Sequence, residues 1–320
     1  MCTLSEKSLV TFVFHEKNEN VEFFLQNGIR ASPKVDYCIV ENCNARTESD
    51  MTISKDGDSK IYWLKRPNRS QCFGGYSESV RKIPDTYKYR FFINSTMKGP
   101  FLPPSHSPDD HWTQCFIRKF NDDVAMVGST INVVPETHVQ SMMMAVDARA
   151  LKVLIDKGIL FSEDIIVPKR QLIDEHEIEG SQVVLKAGYN IDCMVAAFQN
   201  VDWRKPTVHR FDEGINHDLW RKNGYYGRTL HPYETVFFKS SIKEVSEDSH
   251  VRMLTYFIQG KSIPNGETGV ANSPESISSF YRPSKKFPER LIWAAATTTL
   301  GLAFVIALVF VILGSLRKRN

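Results

Sequence analysis

Apolar residues fall in short runs separated by polar, glycine-rich and proline-rich stretches. Residues 8–15 (SLVTFVFH), 35–40 (VDYCIV), 59–65 and 89–93 read as strands, because each is a short β-rich run bounded by turn signals. Between the first two, residues 20–28 space Val21, Phe24 and Leu25 for a helix that stops at Gly28. Residues 76–82 are a further helix candidate. This alternation predicts an α/β fold with a parallel-type sheet.

Farther on, residues 112–120 read as helical and 124–132 as a strand interrupted at Gly128. The pattern predicts one long helix over 138–157, begun by Thr137 as its cap and ended by Gly158. Its apolar face would hold Val139, Met142, Met143, Val146, Leu151, Leu154 and Ile155. Residues 174–188 predict a second helix, with acids in its first turns where they suit the helix dipole. Residues 189–197 form a short apolar segment, and 235–239 (TVFFK) read as a strand.

Beyond residue 262 the chain is rich in Ser, Pro, Gly and Asn, which reads as a linker. Residues 291–316 then hold no charged side chain, long enough for the roughly 20 apolar residues of a membrane span. Trp293 suits one interface and Arg317, Lys318 and Arg319 close the far end. The expected organisation is a domain over 1–260, a linker over 261–290, a transmembrane helix over 291–316 and a basic tail over 317–320. The N-terminal pattern is not that of a signal peptide, so the expectation is a tail anchor with the domain in the cytosol. A lumenal domain is the alternative. Basic residues flank both ends of the span and leave its orientation open. The sequons Asn68-Arg-Ser and Asn94-Ser-Thr are short enough to arise by chance.

Among 320 residues, 42% are hydrophobic and 24% charged, an ordinary globular balance. A net charge of +3, without a basic run interleaved with aromatics, argues against a nucleic-acid partner. The six cysteines have no CxxC spacing and suggest neither a zinc site nor a disulfide framework. HExxH, GxSxG and GxxxxGK[ST] patterns are absent.

What remains are polar clusters at strand ends and helix starts: Lys65-Arg66-Pro67-Asn68, Asn94-Ser95-Thr96, Gly128-Ser129-Thr130, residues 175–179 and His231-Pro232-Tyr233-Glu234. The segments LKRPN…FGGYSESV, YRFFINSTMKGPFLPP, AMVGSTINVVPETHVQSMMMAVD, EIEGSQVVLKAGYNIDCM and YYGRTLHPYETVFFK follow one another in a fairly specific order. In that order, from about residue 8 to 239, the chain resembles glycosyltransferases related to rhamnan-synthesis and other polysaccharide enzymes. The resemblance implies a GT-A-like fold, with a Rossmann-type nucleotide-binding half joined to an acceptor half. It implies transfer from a nucleotide-sugar donor to a glycan or glycoconjugate acceptor.

In GT-A enzymes an Asp-x-Asp motif at the corresponding strand end holds a divalent metal. Here the triplet is Asn94-Ser95-Thr96, which is neutral, and Mg²⁺ or Mn²⁺ prefers carboxylates. The resemblance therefore implies diphosphate binding by Asn94, Ser95 and Thr96, with Lys65, Arg66, Asn68 and Lys98 supplying charge and hydrogen bonds. His231 would contact the diphosphate or, at most, a metal. Glu177 corresponds to the general base, with Asp174, Glu175 and Glu179 as alternatives and helix N-terminal charge as the competing reading. Ser129, Thr130, His138 and Gln140 are candidates for the acceptor side. Trp203 is either a platform for a sugar ring or part of the core. A noncatalytic sugar- or nucleotide-binding module on an anchor is the rival expectation, and a single-pass surface receptor is a third.

Overall fold

The structure, a computed structural model, describes residues 5–43, 50–84, 86–205, 214–242 and 249–261. All belong to one compact unit, Met1–Thr268. The expected linker past residue 261, the span and the basic tail lie outside the described residues. Among the described residues no helix is long and apolar enough to cross a membrane.

In chain order the strands are β1 (Ser5–Phe14), β2 (Val35–Cys43), β3 (Asp50–Asp56), β4 (Ser59–Pro67), β5 (Tyr87–Asn94), β6 (Met97–Lys98), β7 (Val124–Gly128), β8 (Ile131–Asn132), β9 (His138–Val139), β10 (Met143–Asp147), β11 (Asn190–Cys193) and β12 (Phe238–Lys239). The helices are α1 (Glu19–Asn27), α2 (Gln71–Lys82), α3 (Gln114–Ile117), α4 (Ala148–Asp156), α5 (Lys169–Gln171), α6 (Glu179–Lys186), α7 (Pro232–Thr235) and α8 (Ser249–Ile258). A π-helical segment, Leu172–Ile178, joins α5 to α6.

The central sheet runs β11-β7-β10-β5-β1-β2-β4-β3. It is mostly parallel; β10 runs against both its neighbours and β3 against β4. The chain builds outward from β1 through β2 to β4, then returns to lay β5 on the other side of β1. That reversal is a topological switch point between β1 and β5, and crevices at such points open beyond the carboxyl ends of the strands. Val13 pairs with Asn94 there.

Helices cover both faces, because successive strand residues point to opposite sides. On one face Phe12 stacks on Phe24 of α1 at 4.2 Å, and Phe91 meets Trp112 and Phe116 edge-on. On the other face Thr11 shares a hydrogen bond with Ser79 of α2, and Tyr76 packs on Phe92. The close fit of α2 depends on glycine. A Cβ on Gly75 would lie 2.7 Å from a Val13 methyl, and one on Gly74 only 2.0 Å from the Arg69 carbonyl. Asn18 starts α1 by accepting the Asn20 and Val21 amides, as its short polar side chain is suited to do.

The strands expected at 8–15, 35–40, 59–65 and 89–93 form as β1, β2, β4 and β5, and the 20–28 helix forms as α1. The 138–157 helix does not form as one element. Its first half is β9, a turn and β10, and only α4 is helical. Met143–Asp147 is buried throughout between β5 and β7, so its apolar run lacks the polar alternation that marks a half-exposed strand. Asp147, not Thr137, is the cap, accepting the Arg149 and Ala150 amides. The 112–120 helix shrinks to α3, and 235–239 divides into the end of α7 and the two residues of β12. Helix α2 begins earlier than expected, at Gln71. The helix expected from Asp174 begins at Lys169 and is π-wound through its middle.

Candidate functional site

Asn94 closes β5 at the switch point, and the residues after it form a tight turn. The Asn94 Oδ1 accepts the Thr96 amide at 3.1 Å and the Thr96 hydroxyl at 2.5 Å. The Ser95 amide bonds to the Val13 carbonyl, and the Ser95 carbonyl accepts from Asn20 Nδ2 at 2.8 Å. Ser240 Oγ in turn bonds to Asn20 Oδ1. The triplet is thus anchored to β1, α1 and the segment after β12. Its one carboxamide oxygen is already occupied twice from within, which leaves no anionic or open oxygen set for a divalent cation. Among the described residues no group of three or more His, Cys, Asp or Glu is arranged to hold a metal ion.

The Asn94 side chain faces the first turns of α2, where it meets the Cys72 thiol and the Tyr76 hydroxyl. Burial pushes Cys72 up to about 11; Asn94 partly offsets this and the charge of Glu177 adds to it. Tyr76 is raised well above the usual phenol range, first by burial and then by Cys72 and Glu177. Both groups are therefore neutral near pH 7, and Cys72 is not an activated nucleophile.

Glu177 belongs to the π-helical segment, and its side chain is 19% exposed. Extra-wide turns of this kind are frequent at functional sites. The Ser141 hydroxyl donates to Oε2 of Glu177, and His138 Nε2 lies 3.7 Å from Oε1. The Ser141 carbonyl is held by the Tyr76 hydroxyl at 3.1 Å. A cavity of about 10 Å³, on the scale of one water, is lined by Phe73, Ser141, His176, Glu177 and Ser181 among others. Asn94, Cys72, Tyr76, Ser141, Glu177 and His138 therefore form one connected polar cluster at the carboxyl side of the sheet.

Other expected site residues lie elsewhere or are spent on structure. The Arg66 guanidinium is 1% exposed and donates to Asn42 at 2.9 Å, the Arg69 carbonyl at 3.1 Å and Asp164 at 2.6 Å. It braces the turn between β4 and α2 rather than facing a ligand. Lys65 is exposed on the alternate side of β4, in register with Asp50 and Glu41. Asn68 is exposed at the carboxyl edge, 3.3 Å from His15, whose Nδ1 also contacts the Asn42 carbonyl. Lys98 reaches Glu19 at 3.5 Å.

Ser129 and Thr130 are buried. Ser129 bonds to the Thr235 carbonyl, and Thr130 bonds to Gln140 and accepts from Trp220. His231 is exposed at the start of α7, where its Nδ1 accepts the Tyr233 amide. Trp203 is part of the core, packed edge-on against Phe198, with its amide on Asn190 at the start of β11. That places it at the amino edge of the sheet, away from Asn94 and Glu177. The platform expectation for Trp203 finds no counterpart in this geometry.

Ser141, Cys72 and Tyr76 were not singled out by sequence. Their one available signal is proximity: Ser141 follows His138 and Gln140, Tyr76 lies in FGGYSESV beside the glycines, and Cys72 immediately precedes that segment.

The fold and this cluster define a mixed α/β protein, its large and mostly parallel sheet flanked by helices in a Rossmann-compatible way, with a polar cluster at the carboxyl side of the sheet. Compared with known proteins, the chain matches no family model and no curated sequence.

Proposed function

We propose that this chain is a GT-A-like glycosyltransferase, tethered to a membrane by residues 291–316, that moves a sugar from a nucleotide-sugar donor to a glycan or glycoconjugate acceptor. The reading is supported by one observation above others. The strand that ends in the neutral triplet and the Glu177 carboxylate, far apart in sequence, are bridged by Tyr76, which packs on Phe92 of β5 and donates to the carbonyl of Ser141, whose hydroxyl meets Glu177. A donor site and a base must share a crevice, because the acceptor oxygen has to approach the anomeric carbon while giving up its proton.

In this reading the acceptor oxygen attacks the anomeric carbon. The bond from that carbon to the diphosphate oxygen breaks, a nucleoside diphosphate leaves, and the acceptor proton passes to Glu177. The Ser95 hydroxyl at the strand end would bind a diphosphate oxygen, and the Asn94 carboxamide would do so on turning from Cys72 and Tyr76. Lys98, just beyond the triplet, supplies the nearest positive charge in the sequence. A divalent cation does not suit the triplet as it is built, and no step is drawn through one.

The experiment is nucleoside diphosphate release by the purified full chain across a panel of nucleotide sugars, with and without glycan acceptors. One donor should be turned over, and Glu177→Gln should lower transfer by about 10²-fold or more while melting like wild type. Binding without turnover across the panel would favour the noncatalytic sugar- or nucleotide-binding reading, for which the neutral triplet also speaks.

A further inference from the structure

Strand β9 and the loop that follows it address both oxygens of Glu177. From one side Ser141 donates its hydroxyl to Oε2. From the other, His138 presents Nε2 to Oε1 at 3.7 Å, and its ring is only 3% exposed. The orientation of that ring is fixed at its far end: Nδ1 is 2.7 Å from the Glu136 carbonyl. A carbonyl only accepts, so Nδ1 carries the hydrogen. In neutral His138 the atom facing Glu177 is therefore a lone pair.

The loop is also stitched to the helix that carries Glu177. The Val139 amide donates to Ser181 Oγ at 2.9 Å, and Gln182 donates to the Thr137 carbonyl at 2.7 Å. Ser181 stands one turn beyond Glu177, so the carboxylate and its two contacts belong to one braced unit. The Tyr76 hydroxyl pins Ser141 from α2, and Cys72 and His176, the latter lining the same small cavity, are further titratable groups near Glu177.

The two oxygens are consequently unequal. Oε2 already accepts the Ser141 hydroxyl hydrogen. When His138 is neutral its lone pair faces Oε1, and a proton arriving on Oε1 could be donated to Nε2 once the pair closes from 3.7 Å to hydrogen-bond distance.

Resting on the reading of Glu177 as base, we propose that His138 and Ser141 are its positioning residues, with Oε1 as the atom that takes the acceptor proton and His138 Nε2 as the acceptor that holds it there. The proton balance is simple. The acceptor O–H bond breaks, the hydrogen moves to Oε1, and it is then shared with Nε2; His138 keeps its Nδ1 hydrogen on Glu136 throughout. In this role neither residue needs to touch substrate. Their effect belongs in the turnover step and not in donor affinity.

The test uses the full chain with the donor and acceptor found in the release assay. His138→Ala should lower kcat by about 100-fold, the scale expected when a catalytic group is misplaced by an ångström, with KM for donor unchanged. Added imidazole should restore turnover to His138→Ala but not to Glu177→Gln, since only the former retains the carboxylate. His138→Gln, which keeps an acceptor on a side chain of similar reach, should recover part of kcat, and its melting temperature should match wild type. Ser141→Ala should lose kcat without gaining from imidazole. Active wild type with a His138→Ala kcat within twofold, or a loss that neither imidazole nor His138→Gln relieves, would overturn the proposal while leaving Glu177 in place. Wild type that turns over no donor would sink the base reading itself, and with it the role of His138.

Discussion

Replacing Asp164 by alanine strands the Arg66 guanidinium inside the protein. Arg66 is 1% exposed, and Asp164 supplies its only anionic partner among the described residues, at 2.6 Å; Arg69 meets the same carboxylate from outside at 3.0 Å. Removing one partner of a buried pair costs about 3–5 kcal/mol, mostly as the desolvation of the charge left behind. Two features reduce that figure here. Arg66 keeps neutral acceptors in Asn42 and the Arg69 carbonyl, and the Asp164 side chain is 32% exposed, so solvent screens part of the lost attraction. The expected loss is about 2 kcal/mol, or about 4–8 °C in melting temperature for a domain of this size. Urea unfolding followed by tryptophan fluorescence measures it. Because Ser70 and Gln71 in the braced turn hold positive φ angles of 56° and 48°, hydrogen exchange at the first amides of α2 should also quicken. Adding Arg66→Met to Asp164→Ala should restore part of the stability, since the stranded charge is then gone. A loss below about 0.5 kcal/mol, the range of an exposed pair, would refute the brace.

Burial holds His111 down at about 3, and its neighbours explain why a second proton has no place. Nδ1 accepts the Thr113 amide at 3.2 Å, and Nε2 lies 2.7 Å from the Tyr37 hydroxyl. Below about pH 6.5 the unfolded chain takes up a proton that the folded chain refuses. The contribution of His111 is therefore complete above that pH and falls by about 1.4 kcal/mol per unit toward pH 3. Urea midpoints at pH 7 and pH 5 should separate less in His111→Phe than in wild type, and an equal separation would contradict this account. For Gly74→Ala, a Cβ 2.0 Å from the Arg69 carbonyl forces the turn or α2 to shift, at a cost of about 1–3 kcal/mol by thermal melting. An unchanged melting temperature would show that α2 does not need its close approach.

The apolar runs of β1, β2, β4 and β5 are legible in the sequence because buried parallel strands read as continuous hydrophobic stretches. β3 is not legible, since DMTISKD is an edge strand with mostly solvent-facing side chains and no apolar run. Met143–Asp147 misleads for the opposite reason: a run buried on both sides carries no period, and its spacing also suits a helix. Glu177 and Asn94 were each visible as a polar residue at an element end. That Tyr76 and Ser141 bring them together is a product of topology, because β5 returns beside β1 and the π-wound helix comes in from residues much later in the chain. Arg66 and Trp203 show the limit of residue type as a guide. A guanidinium suited to phosphate and an indole suited to a sugar are equally suited to burial with a partner, and only the fold decides which use is made of them.

The most direct measurement is a crystal structure of the full chain with a nucleoside diphosphate bound. The account predicts the diphosphate against Asn94, Ser95 and Thr96 at the β1–β5 switch point, with Glu177 facing the same crevice from the π-helical segment. A nucleotide seated at the amino edge of the sheet, or held at the carboxyl edge with Glu177 turned away from it, would contradict the account.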